Sequence, residues 1–303
     1  MIYMGQLDCY GNAQASLNKF LGIELNAMQI HRLTNKYGQA AGQLEMEKQE
    51  KPQAAERVYA QLDGSMILTR LNGWKEVKVG RIFRERDYIK GEEIGQGWIK
   101  RSDYEAVIGD KEEFTDVFER RLETYGPLSD HLIFITDGAI WIRNWMEDTY
   151  PEAVQILDFY HAAEYLHGFA QEYFADPKAR KKWTGKQKQW LLNSKLSQVL
   201  ENIESLEPHP TSNEQRERLL NYYRTNQSRM DYKRYRKLGA GLIGSGAIEA
   251  THRSLVQKRL KLSGQRWTVP GAQNILNLRS LHMSGRWPKV INLIEDNNLA
   301  IAA

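Results

Sequence analysis

A chain of 303 residues can bury a sizeable core in one or two domains, and a composition 41% hydrophobic and 26% charged, with 15 Tyr and 8 Trp, excludes disorder over most of its length. The single cysteine, Cys9, excludes an internal disulfide and a cysteine-built zinc cluster and suits a reducing, cytoplasmic compartment; MIYMGQLDCYGNAQ carries no secretion signal, and no run of about 18 apolar residues predicts a membrane span. The net charge of +4 is unevenly spread: residues 216–289 hold 16 Lys or Arg against three acids, a net +13 that leaves −9 for the rest. A basic C-terminal quarter on an acidic body points to a polyanionic partner, nucleic acid first, although a solvated helix face gives the same count.

In chain order, AQASLNKFLGIE and LNAMQIHRLTNKYG predict two short helices, the second with Asn26 as N-cap, Ala27, Ile30, Leu33 and Tyr37 at helical spacing, and Gly38 as its stop. A helix-turn-helix over residues 1–40 would turn Gln29, Arg32, Thr34, Asn35 and Lys36 outward toward DNA; two helices of an ordinary bundle fit the same pattern. Residues 41–56, polar and poor in bulky apolar side chains, read as a linker. RVYAQLDGSMILTR and KEVKVGRIFRER form a predicted hairpin about LNGW, and GWIKRSDYEAVIG a third strand. KEEFTDVFERRLETYG predicts an amphipathic helix ending at Gly126. HLIFITDG is a strand buried on both faces, with a helix after it, and AVQILDFYH is a further strand. A helical region from Ala162 to about Leu238 follows, broken at PHPTS. Strand, strand, strand, helix, strand, helix, strand is the order of the ribonuclease H-like α/β fold, and other α/β arrangements share it. No repeat of 20 to 50 residues is present, which excludes a solenoid.

Three acids stand where this order could bring them together: Asp63 at the end of the first strand, Asp137 at the end of the buried strand, and Glu249 at the start of a helix in GSGAIEATHRSLVQKRL. Converging carboxylates repel one another unless a divalent cation lies between them, and Mg²⁺ prefers such hard oxygens. Two ions ~4 Å apart would suit in-line phosphoryl transfer. Asp63-Gly64 and Asp137-Gly138 are equally readable as ordinary turns.

Three segments, LDGSMILTR with GWKEVKVGRIF, then LIFITDGAIWIRNWMEDTYPEAVQILDFYHAAEYLH, then GSGAIEATHRSLVQKRLKLSGQRW with LNLRSLHMSGRW, together resemble ISKra-type bacterial insertion-sequence transposases, relatives of the Mutator-like group. The resemblance implies a ribonuclease H-like DDE core over 57–289, preceded by the helix-turn-helix-like segment and interrupted by a helical insertion at about 165–240, with 290–303 as a tail. It implies Asp63, Asp137 and Glu249 as catalytic acids and ligands of Mg²⁺ or Mn²⁺, two ions in all. Water activated there would cleave DNA at the element's ends, and the exposed 3′ hydroxyl would be directed against target DNA.

DFYH resembles an acid-or-Cys, two residues, His element of the Mutator-like group, giving Asp158 and His161 accessory roles at DNA or at a metal-bound carboxylate; a buried pair fixing the strand-to-helix turn is the alternative. Trp267 in SGQRW matches a family Trp that would stack on an unpaired base, unless it packs in the core. Arg253, Lys258, Arg259, Lys261 and Arg266 follow Glu249 and, with Arg32 and Lys36, are the expected phosphate-binding cations; residues 250–289 contain no acid to repel a substrate. The resemblance implies double-stranded DNA as the partner, as element ends and target, with a homo-oligomer on DNA, no membrane, and a bacterial, nucleoid-associated cytoplasmic location. A non-catalytic DNA-binding derivative and a nuclease without strand transfer are the rival readings; a glycosidase would leave the basic quarter without purpose. The chain opens almost directly into the helix-turn-helix where family members carry more sequence, so an N-terminally shortened copy is expected.

Overall fold

The computed structural model describes residues 1–92, 97–208 and 212–302, with the side chains of 297–302 left aside. Three helices open the chain: α1 (Ile2–Leu7), α2 (Tyr10–Leu21) and α3 (Ala27–Ala41). Asn26 accepts from the Gln29 N–H while Gln29 Oε1 accepts from the Asn26 N–H, a reciprocal capping box that starts α3 where the sequence puts it. The expected hairpin follows as β1 (Val58–Leu68) and β2 (Trp74–Arg84). The expected third strand is split: β3 (Tyr88–Lys90) pairs antiparallel with β4 (Gly97–Ile99), whereas β5 (Asp103–Val107) pairs antiparallel with β2. Helix α4 (Lys111–Glu123) is capped by Asp110, and β6 (Leu132–Thr136), α5 (Ile140–Thr149) and β7 (Val154–Leu157) come next, with β6 and β7 parallel.

Helices α6 (Phe159–Tyr173), α7 (Pro177–Leu192), α8 (Leu196–Glu204), α9 (Asn213–Asn226) and α10 (Tyr232–Tyr235) fill the expected helical stretch. The break at PHPTS falls between α8 and α9, and its residues 209–211 lie outside the described residues. Helix α11 (Gly246–Thr251) continues through a π-helical segment, His252–Gln257, into α12 (Lys258–Leu260); α13 (Val269–Met283) and α14 (Trp287–Ala302) close the chain. The chain is therefore α/β, with a mixed five-stranded sheet in the order β5-β2-β1-β6-β7. Among the described residues no helix is long and apolar enough to cross a membrane.

Two compact units divide the chain. One comprises Met1–Ala54, Ala60–Leu128 and Ala247–Ala303, the other Ala55–Tyr59 and Ser129–Gly246. In the first, Ile67 and Val79 of the hairpin share a core with Ile248, Leu255, Trp267 and Ile275. The three opening helices belong to this unit rather than to a free-standing segment. A Cβ on Gly38 of α3 would lie 2.5 Å from the Asn274 carbonyl of α13, so only glycine permits this approach. Thr34, expected outward, is buried accordingly.

Residues 42–56 are exposed or half-buried and carry a few anchors: the Gln49 N–H donates to the Thr124 carbonyl at 2.7 Å, and Lys289 bonds the Glu45 carbonyl and pairs with Glu47. The expected tail is helical, with Val290 in a core shared with Ile2, Tyr37 and Leu278. In the second unit β6 is buried at every position, as its continuous apolar run predicts, and Phe134 packs edge-on to Trp145 of α5.

Candidate active site

Asp63 does not end its strand. It is the sixth residue of β1, at the point where a fully buried run through Leu62 gives way to alternating exposure. Its carboxylate accepts the Gly64 N–H at 2.7 Å, and Oδ2 stands 3.4 Å from His252 Nε2. The helix carrying Glu249 is fixed to the hairpin by two bonds. The Ile248 N–H donates to Gln61 Oε1 at 3.0 Å, and Arg81 donates to the Ala247 carbonyl at 2.8 Å. Gln61 and Asp63 lie two apart on one face of β1, while Ile248 and His252 lie one turn apart on their helix. These contacts hold the turn that contains Glu249 against β1 at Asp63.

The Glu249 side chain is 56% exposed, and its nearest cation, Arg253 one turn on, is 3.7 Å away and also exposed. An exposed pair at that distance holds the carboxylate only weakly. His252 is buried, which lowers its pKa from 6.5 to about 4, so the ring is neutral near pH 7. Lys261, whose pKa burial lowers, bonds Ser65 Oγ at 2.5 Å and so stands over the strand two residues beyond Asp63. The π-helical segment begins at His252, and such bulges recur at functional sites because they re-aim side chains locally.

In the second unit Asp137 follows the last residue of β6. It accepts the Ala139 N–H at 3.0 Å, and its carbonyl accepts the Tyr222 hydroxyl at 2.9 Å. Burial, with Tyr165 and Asp137 nearby, raises the Tyr222 pKa and keeps that hydroxyl a donor. Gly138 sits at φ +93, and a Cβ there would come within 2.8 Å of Leu157, so the Asp-Gly turn is conformationally required. Tyr222 stacks on Tyr165 at 3.9 Å, and His161 lies edge-on to both while its Nδ1 is 3.3 Å from Glu164. His161 is thus held at a part-exposed surface beside an aromatic pair.

Asp158 is a structural acid. It is 1% exposed, caps α6 through the N–H groups of Tyr160 and His161, and also accepts from the N–H and hydroxyl of Ser245. Its lone pairs are committed to fixing the strand-to-helix turn, so the accessory role at DNA or metal does not fit it. Trp267 is also structural: it lies in the core, its Nε1 donates to the Leu260 carbonyl at 3.1 Å, and one face carries the Arg259 guanidinium at 4.8 Å, leaving that face closed to a base. Arg259, expected at phosphate, is buried between Tyr10 and Trp267. Arg32, Lys36, Arg253, Lys258, Lys261 and Arg266 are exposed, as a phosphate-binding set must be.

Gln61, His252, Ser245 and Tyr222 take part in these arrangements without having been singled out from the sequence. His252 had one usable signal, its position three residues after Glu249 on the same helix face. Among the described residues no group of three His, Cys, Asp or Glu side chains is arranged to hold a metal ion. In comparisons with known proteins, no family model matches the chain and no curated protein matches it either.

Proposed function

We propose that the protein is a DDE transposase of ribonuclease H-like fold that cleaves DNA and transfers strands at the ends of an insertion sequence. The observation that carries the reading is the docking of Glu249's turn on Asp63's strand through Ile248–Gln61 and the His252–Asp63 contact, with both carboxylates at least a third exposed. Two further features support it. The sheet order, antiparallel on the β2–β5 side and parallel at β6–β7 with α4 and α5 between the later strands, suits the expected core. Asp137 closes a fully buried strand at a turn that requires glycine, which presents its carboxylate at a strand end.

The reading assigns Asp63, Asp137 and Glu249 as ligands of a divalent cation. The donors are all oxygens and partly exposed, which suits Mg²⁺ or Mn²⁺, and the phosphate and water would complete a ligand set that the described side chains do not form alone. A cation bound there would supply Lewis-acid activation of the attacking and leaving oxygens. The chain's own contribution is placement: His252, neutral and buried, stands 3.4 Å from the Asp63 carboxylate without adding a charge, and Arg253, Lys258 and Lys261 would hold phosphates beside Glu249. The partner in this reading is double-stranded DNA bound by a homo-oligomer in a bacterial cytoplasm.

Purified protein given Mg²⁺ and labelled element-end DNA should nick it, and Glu249→Gln should lower cleavage by at least ~10³-fold while leaving DNA affinity within about twofold. A pre-cleaved end with a free 3′ hydroxyl should yield joined product. Hydrolysis without joining would favour a nuclease, and undiminished cleavage by Glu249→Gln would remove the assignment altogether.

A further inference from the structure

A cavity of about 700 Å³ in the first unit is bounded by α2, α3 and the segment leading into α13, and its lining includes Tyr10, His31, Arg70, Arg259, Arg266 and Thr268 but no Asp or Glu. Arg259 forms part of its wall while being only 1% exposed. The guanidinium is sandwiched between the rings of Tyr10 at 4.9 Å and Trp267 at 4.8 Å, and its Nε donates to the Gly5 carbonyl at 3.0 Å. Its two terminal nitrogens reach no hydrogen-bond acceptor among the described residues. Burial lowers its pKa, and the nearby Tyr10, Cys9 and Asp8 act in the opposite direction. A second buried guanidinium, Arg279, lies within electrostatic reach and bonds only to uncharged oxygens of Gln6, Ser254 and Leu255. Asp8 lies within electrostatic reach of Arg259 without bonding its terminal nitrogens, so the Arg259 part of the wall still favours an approaching anion.

The rim adds to this field. Arg70 Nε donates to the Arg266 backbone carbonyl at 3.1 Å, and both exposed arginines line the opening. The 15-residue α13 also begins here, with Thr268 as its N-cap and Gly271 in the lining, so its positive end faces the same space. Met28 and Pro270 supply apolar wall, and the volume falls in the range that holds one nucleotide. Arg70 lies seven residues after Asp63, ~23 Å of extended chain, and Lys261 at Ser65 stands between them.

We propose that this cavity binds one nucleotide of a DNA strand, its phosphate against Arg70, Arg266 and the first turn of α13, and that the strand runs past Lys261 toward Asp63, roughly seven nucleotides away. The proposal rests on the DNA reading above and specifies where a strand is anchored. Its test is binding of a fluorescent 12-nucleotide single strand in EDTA, where no cleavage can occur. Arg70→Ala/Arg266→Ala should weaken binding about tenfold. Met28→Trp, which fills the cavity from an exposed position without altering charge, should weaken it comparably while leaving the salt dependence unchanged, and deoxyadenosine monophosphate should displace the oligonucleotide.

Wild-type affinity in both variants overturns the proposal. So does binding of inorganic phosphate without displacement of the oligonucleotide by either phosphate or mononucleotide, which would mark a site for free phosphate instead. Glu249→Gln should bind like wild type, so loss of cleavage and loss of anchoring are separable results: normal cleavage with unchanged binding in the cavity variants removes this anchor alone, whereas absent cleavage with cavity-dependent binding removes the transposase chemistry and keeps the anchor.

Discussion

Asp63 and Asp158 are both aspartates associated with strands, one in each compact unit, and their surroundings assign them opposite work. Asp158 is buried and accepts from four donors, the N–H groups of Tyr160, His161 and Ser245 and the Ser245 hydroxyl. Asp63 is a third exposed and faces a neutral imidazole 3.4 Å away. A carboxylate saturated by local donors and buried stabilises the fold and has nothing left to offer a ligand; one a third exposed to solvent can still be approached by a ligand. Similar residue types beside similar strands therefore diverge according to what the tertiary structure supplies as donors.

The largest test of this contrast is activity. Asp63→Asn should lower Mg²⁺-dependent DNA cleavage by ~10³-fold or more with a melting temperature within a few degrees of wild type. A large fall in melting temperature would move Asp63 into the structural class beside Asp158. The converse substitution, Asp158→Ala, strands buried donors at the α6 cap and should cost about 3–4 kcal/mol of stability in denaturant titrations. A loss below about 1 kcal/mol would show that the cap is replaceable.

His252 should give a smaller, pH-dependent effect. Its folded-state pKa of about 4 lies below its ordinary 6.5, so the unfolded chain binds the proton first as pH falls. The contribution is fully present above about pH 6.5 and is lost progressively toward pH 4, by roughly 2–3 kcal/mol in metal-free protein. His252→Asn should flatten that limb of the stability profile, measured by urea unfolding from pH 7 to pH 4; an unchanged slope would assign the limb to other groups. The smallest effect belongs to an exposed cap. Asn26→Ala removes the same kind of acceptor as Asp158→Ala but at a hydrated helix start, and should cost about 1 kcal/mol.

Much of this architecture was legible in the residues. The apolar run LIFIT, the β-branched and aromatic residues of β1 and β2, the Asn26 cap and the helix from Lys111 each carry a local signal that survives folding, because backbone preference and amphipathic period act within a few residues. The third strand misled because RSDYEAV and GWIK share β character but find different partners, β2 in one case and β3 in the other. The tail misled because it is helical and its Val290 packs with Ile2, Tyr37 and Leu278, partners that composition does not display. Arg259 shows the same blindness: a helix-periodic cation looks solvated until Tyr10, some 250 residues earlier in the chain, closes over it.

The sequence by itself determined the α/β class, the hairpin, the buried strand LIFIT, the helices from Ala27 and Lys111, the concentration of positive charge in the last quarter, and three acids beside small residues. Tertiary structure alone decided which of those groups are available. It committed Asp158 to a cap, buried Trp267 and Arg259, set neutral His252 against Asp63, and left Glu249 exposed on a turn pinned to β1. The physical reason is that residue type and spacing set local conformation, whereas the burial, donors and counter-charges that fix a side chain's chemistry come from segments up to hundreds of residues away.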